Sequence, residues 1–98
     1  MSARDTEERL LVRCIAVAQA GHDVARDERE ANVFRVAAMI LRSHFPVAAA
    51  AWKAASDDYF AEHPTDLRHA EEVVREGWIT SFPRLREALT ARLEQAAR

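Results

Sequence analysis

The stretch NVFRVAAMILRSHFPVAAAAWKAASDDYFAEHP, residues 32 to 64, decides the fold, and its pivot is the dipeptide Phe45-Pro46. Before the pivot, Val33, Phe34, Ala37, Ala38, Ile40 and Leu41 recur at helical spacing and mark one wide apolar face. After it, Val47, Ala51, Ala55 and Tyr59 step along at i, i+4, with Trp52 beside them. Proline disfavours the α conformation in the residue before it, so the first of these helices should stop near His44-Phe45. Proline also fits the first turn of a helix, where its missing N–H costs nothing. Phe45-Pro46 therefore reads as a corner between two helices, one from Asp23 or Asp27 to His44 and one from Pro46 to about Glu62. Their apolar faces can fold onto each other. Asn32 is out of place in the first of them, because a mid-helix asparagine costs propensity; it should bond to a neighbouring loop or to a ligand.

Working outward, an N-terminal helix should begin between Ser2 and Thr6 and run to Ala20. Asp5 and Glu8 have capping-box-like spacing. Leu10, Leu11, Cys14, Ile15, Val17 and Ala18 form its buried face, with Glu7, Arg9 and Arg13 toward water, and Gly21 supplies a left-handed stop. On the other side, His63-Pro64 ends the third helix and Thr65 can cap a fourth, Asp66 to Glu76, whose stripe is Leu67, Ala70, Val73 and Val74. Gly77 stops it, and Trp78-Ile79 crosses as an apolar linker. Ser81 or Thr80 can cap a fifth helix with Pro83 in its first turn and Leu85, Ala88, Leu89 and Leu93 facing inward. No strand pattern, internal repeat or low-complexity linker interrupts this series. The expectation is an all-α fold, one domain over residues 1–98, built as a compact array of about five short helices with proline corners.

The formal charge of −2 comes from 14 basic and 16 acidic side chains mixed along the chain, which gives no bulk electrostatic reason to bind nucleic acid. The footholds for DNA are Arg84, Arg86 and Arg92 on the fifth helix with Arg35 and Arg42 on the second. Glu87 and Glu94 interleave with the former, so intrahelical ion pairs are expected there instead. Cys14 is the single cysteine, which excludes an internal disulfide and a paired-thiol zinc site; a buried, inert thiol is expected. The charged start Met1 to Arg9 is unlike a signal peptide, and no run approaches the roughly 18 apolar residues of a membrane span. A soluble, cytoplasmic protein without membrane contact is expected.

Metal and catalytic chemistry find little support. Among His22, His44, His63 and His69 no pair stands at i, i+4 on one helix. His69-x-x-Glu72 and the pair Asp58 and Glu62 could meet in space, but carboxylate-bridged di-iron bundles use repeated Glu-x-x-His motifs, and here one half-motif stands in reversed order. Surface or capping positions are the expected fate of these histidines, with no metal and no cofactor. Ser43, Ser56 and Ser81 lack a nucleophile elbow or triad context, and with two glycines there is no phosphate-cradling loop. No catalytic residue is expected, and an enzyme acting alone is not. Trp52, Tyr59, Trp78 and Phe82, with His63, gather around the two later corners in a chain poor in aromatics. They can serve the core, or serve as partner-binding residues of the kind that dominate interfaces.

Taken together the corner residues carry a resemblance. In order they read Asn32-Val33, Leu41, Phe45-Pro46-Val47, Tyr59-x-x-x-His63-Pro64, Gly77 and Phe82-Pro83-x-Leu85. This series is similar to the N-terminal helical domain of the HvfC family, often described as a DNA-binding domain. That family in turn resembles the MbnC-type partner subunits of multinuclear non-heme iron oxidases that modify cysteine-containing peptides. The similarity spans Asn32 to Leu89. Here the interval from Phe45-Pro46 to Tyr59 is about one turn shorter than in the family, and that from His63-Pro64 to Phe82-Pro83 is correspondingly longer. The C-terminal domain of larger relatives has no counterpart in these residues. The resemblance implies a non-catalytic accessory subunit that binds and presents a peptide to a separate non-heme iron oxidase in peptide natural-product (RiPP) biosynthesis. Iron and oxygen chemistry would belong to that partner. The alternative it implies is a DNA-binding or regulatory helical module.

Overall fold

The computed structural model describes residues 3–21, 23–76 and 81–97. Within them the chain forms α1 (Ala3–Ala20), α2 (Glu28–Leu41), α3 (Pro46–Glu62), a 3-10 turn (Pro64–Asp66), α4 (Ala70–Arg75) and α5 (Phe82–Ala96), with no strand among the described residues. The proline corners stand where chain stereochemistry puts them. Phe45, at φ −134° and ψ 69°, is outside the helical region, and Pro46 opens α3 directly behind it. Phe45 N–H still donates to Leu41 O at 2.8 Å, and Ala49 N–H to Phe45 O at 2.9 Å, so the corner leaves few backbone groups unmet. The regular part of α2 ends at Leu41, short of the expected His44, and residues 42–44 form a turn in which the Leu41 carbonyl accepts from both His44 N–H and Phe45 N–H.

All five helices feed one core. Leu10, Cys14 and Val17 of α1 are buried against Val33, Phe34, Ala37 and Leu41 of α2, Ala51, Trp52 and Ala55 of α3, Val73 of α4, and Leu85 and Leu89 of α5. The alanines of α3 let α2 approach closely, and these two helices make the most extensive contact in the molecule. The Cα radius of gyration is 12.2 Å, close to the roughly 13 Å of a folded chain of about 100 residues. Gly21 has φ +74°, the left-handed stop that an L side chain rarely adopts.

Three local expectations are corrected by polar pairing. Asp5 lies inside the first turn of α1, and the reciprocal cap forms instead at α2: Asp27 Oδ1 accepts from Glu30 N–H at 2.9 Å while Glu30 Oε1 accepts from Arg26 N–H at 3.0 Å. Glu7 and Arg13 do not face water. Glu7 is buried and pairs with Arg84 at 3.1 Å. Arg13 bridges Asp23 and Glu30, both at 3.1 Å, with its guanidinium 5.9 Å above the Phe34 ring. The fourth helix does not begin at Asp66 under a Thr65 cap. Residues 64–66 make a 3-10 turn, Leu67 is extended and half exposed, and α4 starts at Ala70 behind His69.

The reason for that late start is Asn32. Its Nδ2 donates to Glu28 O and to Asp66 O, both at 3.0 Å, and its Oδ1 accepts from Arg68 N–H at 3.0 Å. Those bonds hold residues 66 and 68 in the arms of α2 and keep the segment between them out of a helix. The asparagine bonds to a loop, one of the two fates its position allowed.

Candidate binding groove and the aromatic corner

The five residues read from sequence as partner-binding go to different places. Trp52 is in the core with no exposed surface, and its Nε1–H donates to Cys14 O at 2.8 Å, pinning α3 to α1. It therefore offers nothing to a partner. An indole of this size fills the space between helices, and the one polar atom it must satisfy finds a backbone acceptor there. Phe82, the first residue of α5, is half-buried against the core. Trp78 lies outside the described residues, as do Gly77 and His22.

Tyr59 and His63 are brought together. Their rings stack with centroids 4.3 Å apart and 16° between planes, and Phe60 meets Tyr59 edge-on at 5.5 Å. Tyr59 is half-buried and donates its hydroxyl to Asp66 Oδ2 at 2.8 Å. His63 is exposed, with Nδ1 3.1 Å from Tyr59 O, a bond that the Nδ1–H tautomer makes. The corner thus presents one face of an imidazole and part of a phenol, fixed to the same Asp66 whose carbonyl Asn32 holds.

The hydrogen bond to Asp66, with desolvation and the charge of that carboxylate adding to it, pushes the Tyr59 phenol up to about 12 from its ordinary value of 10.0. Because the folded value is raised, the contribution of this contact is fully present below the unfolded value and is lost as pH climbs from 10.0 through about 12. The chain has one tyrosine, so phenolate absorbance reports it alone. Titration should show a midpoint near 12 that falls toward 10.0 in Asp66→Asn. An unchanged midpoint in that variant would remove Asp66 as the cause.

A concavity with both apolar and charged walls involves none of these five. It is a groove of about 430 Å³ between α2 and α3, closed at one end by Ala70 of α4. Val36, Ala38 and Met39 line one side and Pro46, Ala49 and Ala50 the other. Arg35, Arg42 and Lys53 stand along it as three cations against the single carboxylate of Asp57. Lys53 Nζ is 2.6 Å from Asp57 Oδ2, so those two largely neutralise each other. Arg35 donates to Arg68 O at 3.3 Å. The Arg42 guanidinium makes no hydrogen bond or ion pair with a described residue. Met39, large and apolar, is 51 % exposed on this face. Ser56 also lines the groove; it is 1 % exposed, and its buried Oγ has no hydrogen-bond partner among the described residues. A buried hydroxyl left unmet is unusual and costly.

Sequence reading named these groove residues only in other roles, Arg35 and Arg42 as a DNA foothold and Ser56 as an isolated hydroxyl. The signal was the spacing of Arg35, Met39 and Arg42 at i, i+4, i+7, a basic and apolar stripe on a helix whose other faces are core. Arg84 and Arg92 are committed elsewhere. They pair across to Glu7 and Glu8 of α1, at 3.1 and 2.7 Å, in place of the intrahelical pairs expected with Glu87 and Glu94.

Reactive chemistry at the remaining candidates is muted. Cys14 is fully buried, and desolvation first, then the charge of Glu30, raises its thiol to about 12, so it stays protonated at neutral pH. His63 and His69 stand at helix ends, as the C-cap of α3 and the N-cap of α4. No group of three metal-binding side chains converges among the described residues. No helix among them is long and apolar enough to cross a membrane. Comparison with protein-family models, curated proteins and solved structures finds no match to this chain.

Proposed function

We propose that the protein is a non-catalytic binding subunit that holds a peptide segment of a partner protein in the groove between α2 and α3. The observation that carries this reading is the groove itself: an apolar floor with Met39 half exposed, beside an Arg42 side chain that pairs with no described residue. Apolar surface flanked by charge that finds no counter-charge among the described residues is what a partner of opposite sign completes. Together with the HvfC-like series of corner residues, this supports the reading of an accessory subunit that presents a peptide to a separate non-heme iron oxidase. The oxidase supplies the metal and the oxygen chemistry. The Tyr59–His63 face, at the other end of the Asn32 latch, is a second contact for the same assembly. A cytoplasmic setting suits a chain whose one thiol is free and buried.

Co-expression with the products of the neighbouring open reading frames, among which the reading expects a non-heme iron oxidase and its peptide substrate, tests it. A stable complex is expected, weakened about tenfold or more by the double variant Met39→Glu, Arg42→Glu, equivalent to about 1.4 kcal/mol or above. Retention of the wild-type protein on duplex DNA with a steep salt dependence would instead make it a DNA-binding or regulatory module. A complex indifferent to the double variant would remove the groove from the interface.

A further inference from the structure

We infer that the segment received by the α2/α3 groove is an amphipathic α-helix with two acidic residues seven positions apart and small or medium apolar side chains between them. This rests on the proposed function and specifies its ligand. Arg35 and Arg42 stand seven residues apart on one face, and Arg42 keeps helical dihedrals at the C-cap of α2. Their separation along the axis is therefore about 10 Å. Acidic residues seven apart on a guest helix have the same rise and the same facing, so both arginines are met in one register. Lys53 is already held by Asp57, which leaves the two arginines to set that register.

The walls decide the guest's secondary structure. Both are α-helices, whose interior N–H and C=O groups are used within themselves. An extended peptide laid between them would press its own backbone groups against Ala38, Met39, Ala49 and Ala50, with no sheet edge to bond to. A helix brings its backbone already satisfied. The alanines lining the groove let a third helix come as near as about 8 Å to its neighbours, and Met39 adapts to the side chains placed above it.

The probe is a fluorescein-labelled synthetic helix of about 16 residues, long enough to hold helicity in water. It carries two glutamates seven apart, with leucine and alanine three and four positions after the first. Saturable binding by anisotropy is expected. Replacing both glutamates by glutamine, or placing them five apart, should weaken it about tenfold. Arg42→Glu should weaken it to a similar degree, and a peptide with arginine in place of the facing glutamate should restore it. A central proline in the peptide should abolish binding. If the proline-broken peptide binds as well as the helix, or if the helix fails to bind while the partner complex still responds to Arg42→Glu, the helical ligand is wrong and the groove reading stands. If neither the peptide nor the complex responds to Arg42→Glu, the groove reading falls with it.

Discussion

Trp52→Ala is expected to lower the stability of the protein by about 3–5 kcal/mol, the range for removing a buried large aromatic. The side chain has no exposed surface and sits where α3 meets α1, with its indole N–H on Cys14 O at 2.8 Å. Truncation opens a cavity in the core beside Cys14, and small neighbours on α3 such as Ala51 cannot refill it by changing rotamer. For a domain of this size, with about 5–15 kcal/mol in total, that is a large share. Trp52→Phe should fall in between, because it keeps most of the volume but loses the bond to the Cys14 carbonyl. Urea unfolding followed by far-ultraviolet circular dichroism is the suitable measurement, since Trp78 is a second fluorophore in the same chain. A loss below about 1 kcal/mol for the alanine variant would contradict the core position assigned to Trp52.

What the sequence made legible and what it concealed divide along a physical line. Apolar periodicity and proline stereochemistry are local, and they placed α3 from Pro46 to Glu62, the Ser81 cap of α5 and the left-handed Gly21. The all-α architecture of about five helices follows from them. Pairing between polar groups far apart in sequence is not local. Glu7 reads as a solvent residue until α5 brings Arg84 beside it, and Arg13 does so until Asp23 and Glu30 close on it. Asp66 to Arg68 have the makings of a helix start, yet two hydrogen bonds with Asn32, 34 and 36 positions earlier, hold Leu67 extended between them. The groove was hidden for a related reason. Arg35, Met39 and Arg42 look like the wet side of an amphipathic helix, and only the spacing of α3 against α2 makes that side concave. Ser56 carried no signal at all, because a hydroxyl's failure to find a partner depends on every neighbour at once.

The Asn32 latch makes the second large effect predictable. Asn32→Ala removes both bonds to the 66–68 segment and the one to Glu28 O, leaving the Asp66 carbonyl and Arg68 N–H without their partner in a partly buried place. With each such group worth about 1–3 kcal/mol when stranded, a loss of about 2–4 kcal/mol is expected. Asn32→Asp should be at least as damaging. Its second oxygen would face the Glu28 and Asp66 carbonyls where an amide now donates, and only the acceptor role toward Arg68 N–H would survive. The effect is also directional within the fold. Arg68 pairs with both Glu28 and Glu76, so releasing its backbone loosens α4 from α2, and with it Ala70, the end wall of the groove. Hydrogen exchange should therefore rise first over residues 66–76, while the amides of α1 and α3 stay protected up to global unfolding. Peptide affinity at the groove should drop in the same variant even at temperatures where it remains folded. Uniform loss of protection across all helices would instead make Asn32 an ordinary core residue rather than the tie that sets where α4 begins.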